Sequence, residues 1–296
     1  MKQKVKPPVV ITEDCIGCER CVAVCPGLVL EMVEGKSKVV RGEWCIGCEH
    51  CAAVCPTEAV LPEEGGLDKH PKKGEVPATS PQILELLFRE RRSVRLYTNA
   101  PVPEEILNQI LDVGRYAPTG SNSQNVHYVV LKSPDQIAML QEMTINFYEK
   151  IFSRARGWLG RLLISLIAGR RIAEYLHESL PKMEYRREQM KQGGDPLFYH
   201  APVIVLAHSE SWETNSPFNC SVALYNCSLM AHTLGIGCCF NGFLVNAIHH
   251  SSKIKSWLGI PPNHQCYSAM TLGFPDVKYL HLVHRHPPRV EKRGNV

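Results

Sequence analysis

The stretch from Cys15 to Pro26, CIGCERCVAVCP, returns 30 positions later as CIGCEHCAAVCP from Cys45 to Pro56, identical at ten of twelve positions. Each copy has the spacing C-x2-C-x2-C-x3-C-P, which gives Cys15, Cys18, Cys21 and Cys25, then Cys45, Cys48, Cys51 and Cys55. Three thiolates within seven residues wrap one corner of a cubane iron–sulfur cluster, and the fourth, on the turn set by Pro26 or Pro56, points to a second cluster. The expected ligand sets therefore interleave. Cys15, Cys18, Cys21 and Cys55 would hold one 4Fe-4S cluster, and Cys45, Cys48, Cys51 and Cys25 the other. Gly17 and Gly47 let backbone pass close to a cluster and donate N–H groups to its sulfurs. Zinc sites usually join two separated C-x2-C knuckles, which this spacing does not supply.

Residues 1–60 resemble the bacterial two-cluster ferredoxins, with every cysteine and both prolines in place. The resemblance implies one-electron transfer at low potential. Eight of the thirteen cysteines lie in this segment, and the other five are scattered through the C-terminal third. The N-terminal MKQKVKPPVVITED lacks the apolar core of a signal peptide, so a reducing cytoplasm is the expected compartment.

At 296 residues and 44% hydrophobic content, the chain can build one small and one medium domain and is not a disordered or fibrous sequence. A net charge of +4 is far from the clustered excess of a nucleic-acid binder, so no nucleic-acid partner is expected. The run Leu162 to Gly169, bracketed by Arg161 and Arg170, is too short to span a bilayer, and a membrane partner is not expected.

Residues 61–80, LPEEGGLDKHPKKGEVPATS, read as a linker rich in Pro, Gly and charge. Beyond it, residues 81–296 read as a second domain. Ser80 and Pro81 open a helix through ILELLF, and Pro103 opens another through EEILNQILDVGRYA. VHYVVLK from Val126, PVIVLAH from Pro202 and QCYSAMTLGF from Gln265 read as strands. A long helix runs from about Pro217 to Gly235, and one more from Asn246 to Leu258 stops at Gly259. Between them, about 134–194 is a basic helical insertion, with ten Lys or Arg against four Glu from Lys150 to Gln192. The fold class expected is α+β.

RERRSVRLY from Arg89 gathers guanidinium forks and a hydroxyl suited to a phosphate, although cations at a helix end also answer the helix dipole. APTGSNSQNVHYVVL from Ala117 offers small and amide side chains that can lie against a flat heterocycle. Together these segments resemble the nitroreductase superfamily, whose members carry an RRS-x-R motif and a P-[ST]-x-x-N-x-Q loop. AHTLGIGCCFNGF from Ala231, LGFPD from Leu272 and HRHPPR from His284 fit the same family. The resemblance implies a mixed sheet flanked by helices, and FMN as cofactor. Arg91, Arg92, Ser93 and Arg95, joined by Arg285, would hold the phosphate and ribityl chain. Pro118, Thr119, Gly120 and Asn122 would line the flavin, and Asn241 and Gly242 would approach its N5.

The resemblance also implies an intertwined homodimer, with Asn122 able to serve the flavin of the other subunit. The acceptor expected is a small organic molecule of the nitroaromatic, quinone or activated-alkene class. The donor expected is ferredoxin or an NAD(P)H-linked reductase. Transfer to a protein partner and reductive dehalogenation are the rival readings. No catalytic residue is assigned, because His127, Tyr199, His200, His208 and Tyr225 show no positioned partner in the sequence. Cys238 and Cys239 read as packing, and the run Leu162 to Gly169 as a lid over the pocket rather than a membrane rest.

Overall fold

The computed structural model describes residues 9–62 and 79–294. Two compact units emerge: one runs to Ser80 and takes in Thr119–Gln124, the other consists of Pro81–Pro118 and Asn125 onward.

In the first unit, β1 (Val9–Ile11) is followed by α1 (Arg20–Ala23), β2 (Leu30–Val33), β3 (Lys36–Val39), α2 (His50–Ala53) and β4 (Val60–Pro62). β1 pairs antiparallel with β4, placing Val9 opposite Pro62. Of the expected linker 61–80, then, Leu61 and Pro62 belong to a strand, and 63–78 lie outside the described residues. β2 and β3 form a hairpin turned by Glu34 and Gly35, both at positive φ, the conformation that matches the right-handed twist of a two-stranded ribbon. Val9, Val29, Leu30, Ala52 and Val60 make a small apolar core.

The sequence repeat is also a repeat of backbone conformation. Gly17 and Gly47 have φ of 70° and 63°, Glu19 and Glu49 have 62° and 58°, and Leu28 and Glu58 have 53° and 56°. Each pair is 30 residues apart. Left-handed backbone is costly for a side chain such as Leu or Glu, so its recurrence at matched positions reflects a shared loop geometry and not residue preference.

The second unit contains α3 (Pro81–Glu90), α4 (Glu104–Asp112), β5 (His127–Leu131), α5 (Pro134–Arg156), α6 (Trp158–Ala168) and α7 (Arg170–Lys191). There follow β6 (Val203–Glu210), α8 (Ser216–Thr233), β7 (Gly237–Phe240), α9 (Gly242–His250), α10 (Ser252–Trp257) and β8 (His264–Gly273). The strand order is β5-β6-β8-β7, antiparallel throughout. A parallel bridge from Ser93 to Cys238 makes the sheet mixed.

Residues 203–207 of β6 are an unbroken apolar run because both faces of the strand are covered there. Val203, Val205 and Ala207 pack with Leu224, Cys227 and Ala231 of α8. Ile204 and Leu206, pointing the other way, pack with Leu140 of α5 and Leu244 and Ile248 of α9. This is the α+β architecture expected, with helices on both sheet faces.

Three elements differ from the sequence reading. The helix opened by Pro103 ends at Asp112, and Val113–Tyr116 tighten into a 3-10 turn. The helix expected over Asn246–Leu258 is two: α9 starts earlier, and Ser251, with extended φ/ψ, breaks the run and caps α10 by accepting from the Ile254 N–H at 3.3 Å. β7, inside GIGCCF, is an unexpected strand.

Candidate functional site

Two cavities of the first unit are lined by cysteines. Cys25, Cys45, Cys48 and Cys51 line one of about 230 Å³, and Cys15, Cys18, Cys21 and Cys55 line a tighter one. The fold thus brings Cys25 beside the second loop and Cys55 beside the first. Among the described residues no three His, Cys, Asp or Glu close around a single ion-sized point; a cubane spreads its ligands over separate iron corners.

Backbone N–H groups already aim at the thiols. Val29 N lies 3.4 Å from Cys25 Sγ, and its counterpart Ala59 N lies 3.2 Å from Cys55 Sγ. Ser37 N and Gly47 N reach Cys15 Sγ and Cys45 Sγ at 3.5 and 3.4 Å. Such donors favour sulfur carrying negative charge and raise a cluster's potential.

Thr119, Gly120 and Asn122 form a tight turn in the same unit. Ser121, Asn122 and Gln124 all take positive φ. The Thr119 hydroxyl accepts from the Gln124 N–H at 3.1 Å, and its carbonyl accepts from Asn122 N at 3.0 Å. The Asn122 side-chain amide donates to the carbonyls of Ile46 and Gly47, each at 3.1 Å. Pro118, just outside this turn, is exposed.

In the second unit, the RRSVR segment leaves α3 and runs beside β7. Val94 N donates to Cys238 O at 2.9 Å, and the Ser93–Cys238 bridge fixes the register. Gly237 is needed here, since a Cβ on it would meet the Val94 side chain at 2.8 Å. Arg91 is thereby drawn inward, where its Nε and Nη1 are buried and meet no hydrogen-bond acceptor among the described residues. A buried guanidinium normally satisfies its donors.

Arg91 also lies against the Cys238 thiol. Burial pushes that thiol up to about 11, and the guanidinium only partly offsets the rise. Burial likewise raises Cys239, opposed by Arg95 and Ser93. Both cysteines are therefore protonated and unreactive near neutral pH. Arg95 is exposed and sits 5.9 Å over the Tyr199 ring, and Arg92 is half-buried. Arg91 and Arg92 line a cleft of about 380 Å³ with Lys278, Tyr279 and His281.

Asn241 is committed to structure. Its Oδ1 caps α9 by accepting from Leu244 N at 2.9 Å, and its Nδ2 donates to Leu197 O at 2.7 Å. Gly242, the first residue of α9, is exposed, with nothing within 4 Å of where a Cβ would be. Arg285 lies on an exposed C-terminal segment without regular structure.

The sequence reading missed a cluster of three histidines. His208 and His264 meet through Nδ1 atoms at 3.0 Å, and His127 stacks on His208 with ring centroids 5.4 Å apart. A cavity of about 540 Å³ between α5 and α7 includes none of the expected site residues.

The sequence profile of the nitroreductase family matches residues 88–274, and that of a 4Fe-4S dicluster domain matches residues 7–61. The chain belongs to the nitroreductase family. Family membership makes it an oxidoreductase, here with an iron–sulfur domain at its N-terminus. A Ralstonia nicotianae protein provisionally named an NADH dehydrogenase/NAD(P)H nitroreductase is 34% identical over 58 residues, 20% of this chain and only 30% of that protein. Iodotyrosine deiodinase of Hydra vulgaris is 22% identical over 236 residues, 74% of this chain and 75% of the other. The solved structure of a Bacteroides fragilis nitroreductase with bound FMN is similar at a TM-score of 0.52 and 23% identity, covering 73% of this chain and all of that one. This last likeness supports the fold. Among the described residues no helix is long and apolar enough to cross a membrane.

Proposed function

We propose that this nitroreductase is an iron–sulfur flavoprotein, built from an N-terminal cluster domain that extends through Pro62 and a second domain over 81–296. It takes electrons singly from a low-potential donor through two 4Fe-4S clusters and delivers them in pairs, through FMN, to a small organic acceptor. The observation that carries the flavin reading is Arg91, whose buried, unpartnered Nε and Nη1 suit a phosphate. The clusters rest on the two cysteine-lined cavities.

When bound, the flavin would supply the conversion between one-electron and two-electron chemistry. The chain's part is to bind, orient and screen. Arg91, Arg92, Ser93 and Arg95 would hold the phosphate and ribityl chain, with Arg285 closing on them. Pro118, Thr119, Gly120 and Asn122 would line the ring, and the backbone at Gly242 would face its reactive edge. Asn241 positions that backbone through its cap. Acceptors of the nitroaromatic, quinone or activated-alkene class, ferredoxin or an NAD(P)H-linked reductase as donor, and a homodimer all follow from the same reading. The resemblance to iodotyrosine deiodinase over most of the chain favours reductive dehalogenation as the second reading.

Anaerobic purification should yield about eight iron atoms and one FMN per chain. Reduced ferredoxin should bleach the flavin absorbance, and one member of a nitro, quinone or halogenated panel should restore it catalytically. Absence of flavin refutes the reading. Bleaching that no small acceptor reverses would leave a relay to a protein partner instead, and turnover with halogenated compounds alone would select the second reading.

A further inference from the structure

Surface helices of water-soluble proteins turn their apolar stripe inward and their polar residues out. α6 does the reverse. Trp158, Leu159, Leu162, Leu163, Leu166 and Ile167 all face solvent, with Trp158, Leu166 and Ile167 exposed to 72%, 75% and 85%. The polar residues Arg161 and Ser165 turn partly inward, and Arg161 Nε is fully buried. Six large apolar side chains on one helix face form a contiguous patch of the kind that marks an interaction surface.

The charge around this patch selects its partner. From Lys150 to Ala173 the chain has six cations, Lys150, Arg154, Arg156, Arg161, Arg170 and Arg171, and no acidic residue. Arg156 is paired with Glu184 and Arg170 with Glu174. Arg154 and Arg171 are exposed just beyond either end of α6, with no ion pair to the described residues. A second copy docking through this face would bring two such basic surrounds together, which like-charge repulsion opposes. An apolar face with an aromatic residue at one end and a rim of arginines fits a lipid leaflet carrying negative headgroups. Eleven residues span only about 16 Å along the axis, so the helix would lie in the interface rather than cross it.

We propose that the outward face of α6 docks the protein on a membrane surface rich in anionic lipid. Trp158, Leu162, Leu163, Leu166 and Ile167 enter the headgroup boundary, and Arg154 and Arg171 hold the phosphate layer. From the sequence a lid over the pocket is the expected role for this run, which is short for an anchor. The outward direction of the apolar side chains is what changes that reading.

The test uses the full-length protein with its cofactors, floated with phosphatidylcholine vesicles that do or do not contain about 30% phosphatidylglycerol. The wild type should float with the anionic vesicles, stay down with the neutral ones, and be released by about 0.5 M salt. Leu166→Asp with Ile167→Asp should abolish flotation, and Arg154→Gln with Arg171→Gln should weaken it roughly 10- to 30-fold. All four positions are exposed; unchanged thermal unfolding and cofactor content in both variants would exclude misfolding as the cause. Failure of the wild type to float, or flotation that neither variant alters, overturns the proposal. So does dissociation of an oligomer by the Asp substitutions in sedimentation, which would assign the face to a second copy.

Discussion

His208 and His264 face each other across the end of the sheet, Nδ1 to Nδ1 at 3.0 Å, with His127 stacked alongside. One of the two nitrogens must donate and the other accept, so at least one ring is neutral. Burial is the main reason that His208 is lowered to about 4, and the nearby His264, His127 and Lys255 add to it. Glu210, held low chiefly by its hydrogen bond from Asn125, is the anion on the same side.

The folded pKa of His208 lies below its unfolded value, so the unfolded chain binds this proton more readily. Stability from the site is intact above about pH 6.5 and is lost as the pH falls towards about 4, on the order of 1–2 kcal/mol after solvent screening. Urea unfolding at pH 7.5, 5.5 and 4.5 should show a steeper loss in the wild type than in His208→Gln. Parallel slopes would show that the histidine pair does not carry the dependence.

A Cβ on Gly17 would come within 2.3 Å of the Gly35 carbonyl oxygen, and the positive φ there costs an alanine about 1–2 kcal/mol more. Gly17→Ala should therefore lose about half of the protein's iron. Full iron content in that variant, by iron assay, would show that the loop yields without losing its cluster.

Cys55→Ser and Cys25→Ser should each remove a different cluster, because each thiol lines the cavity of the opposite loop. Low-temperature paramagnetic resonance of the reduced protein should show complementary signals from the two variants. The same signal lost in both would mean that the ligand sets do not cross.

Removing the Arg91 side chain should weaken FMN binding about 10- to 100-fold, the scale of one charged hydrogen-bonding group. Because Nε and Nη1 meet no acceptor among the described residues and the contact with the Cys238 thiol is to a neutral group, Arg91→Ala should not destabilise the flavin-free protein. A lower melting temperature in that form, with flavin affinity unchanged, would give Arg91 a structural role.

Asn241→Ala loses a helix cap and a buried bond to Leu197 O together. A cost of about 2–3 kcal/mol is expected by chemical denaturation. A cost below about 0.5 kcal/mol would show that solvent replaces both.

The cysteine loops are legible in the sequence because the geometry of a cluster dictates ligand spacing locally. The first five residues of β6 are legible too, since a strand segment covered on both faces is continuously apolar. The break at Ser251 is not, because His249, His250, Ser252 and Lys253 all tolerate a helix and only the Ile254 N–H bond reveals the cap. β7 is four residues long and takes its place from pairing with β8 and from a bridge to Ser93, both distant in sequence. The histidine cluster is assembled by strand register: His127 pairs with His208, and Glu210 pairs with His264. A histidine near the same end of each of three strands was the available signal, but it has meaning only once their order is known.

Leu28 and Glu58 share a left-handed backbone although one is apolar and the other charged. Nothing in either side chain asks for that shape, and the apolar core of this unit is small. The mineral it encloses would then act as the unit's template, so that acquiring iron and sulfide and acquiring a fold are one event. In a cell starved of iron, newly made chains would carry an N-terminal segment open to proteases while the larger unit, with its own core, stayed intact.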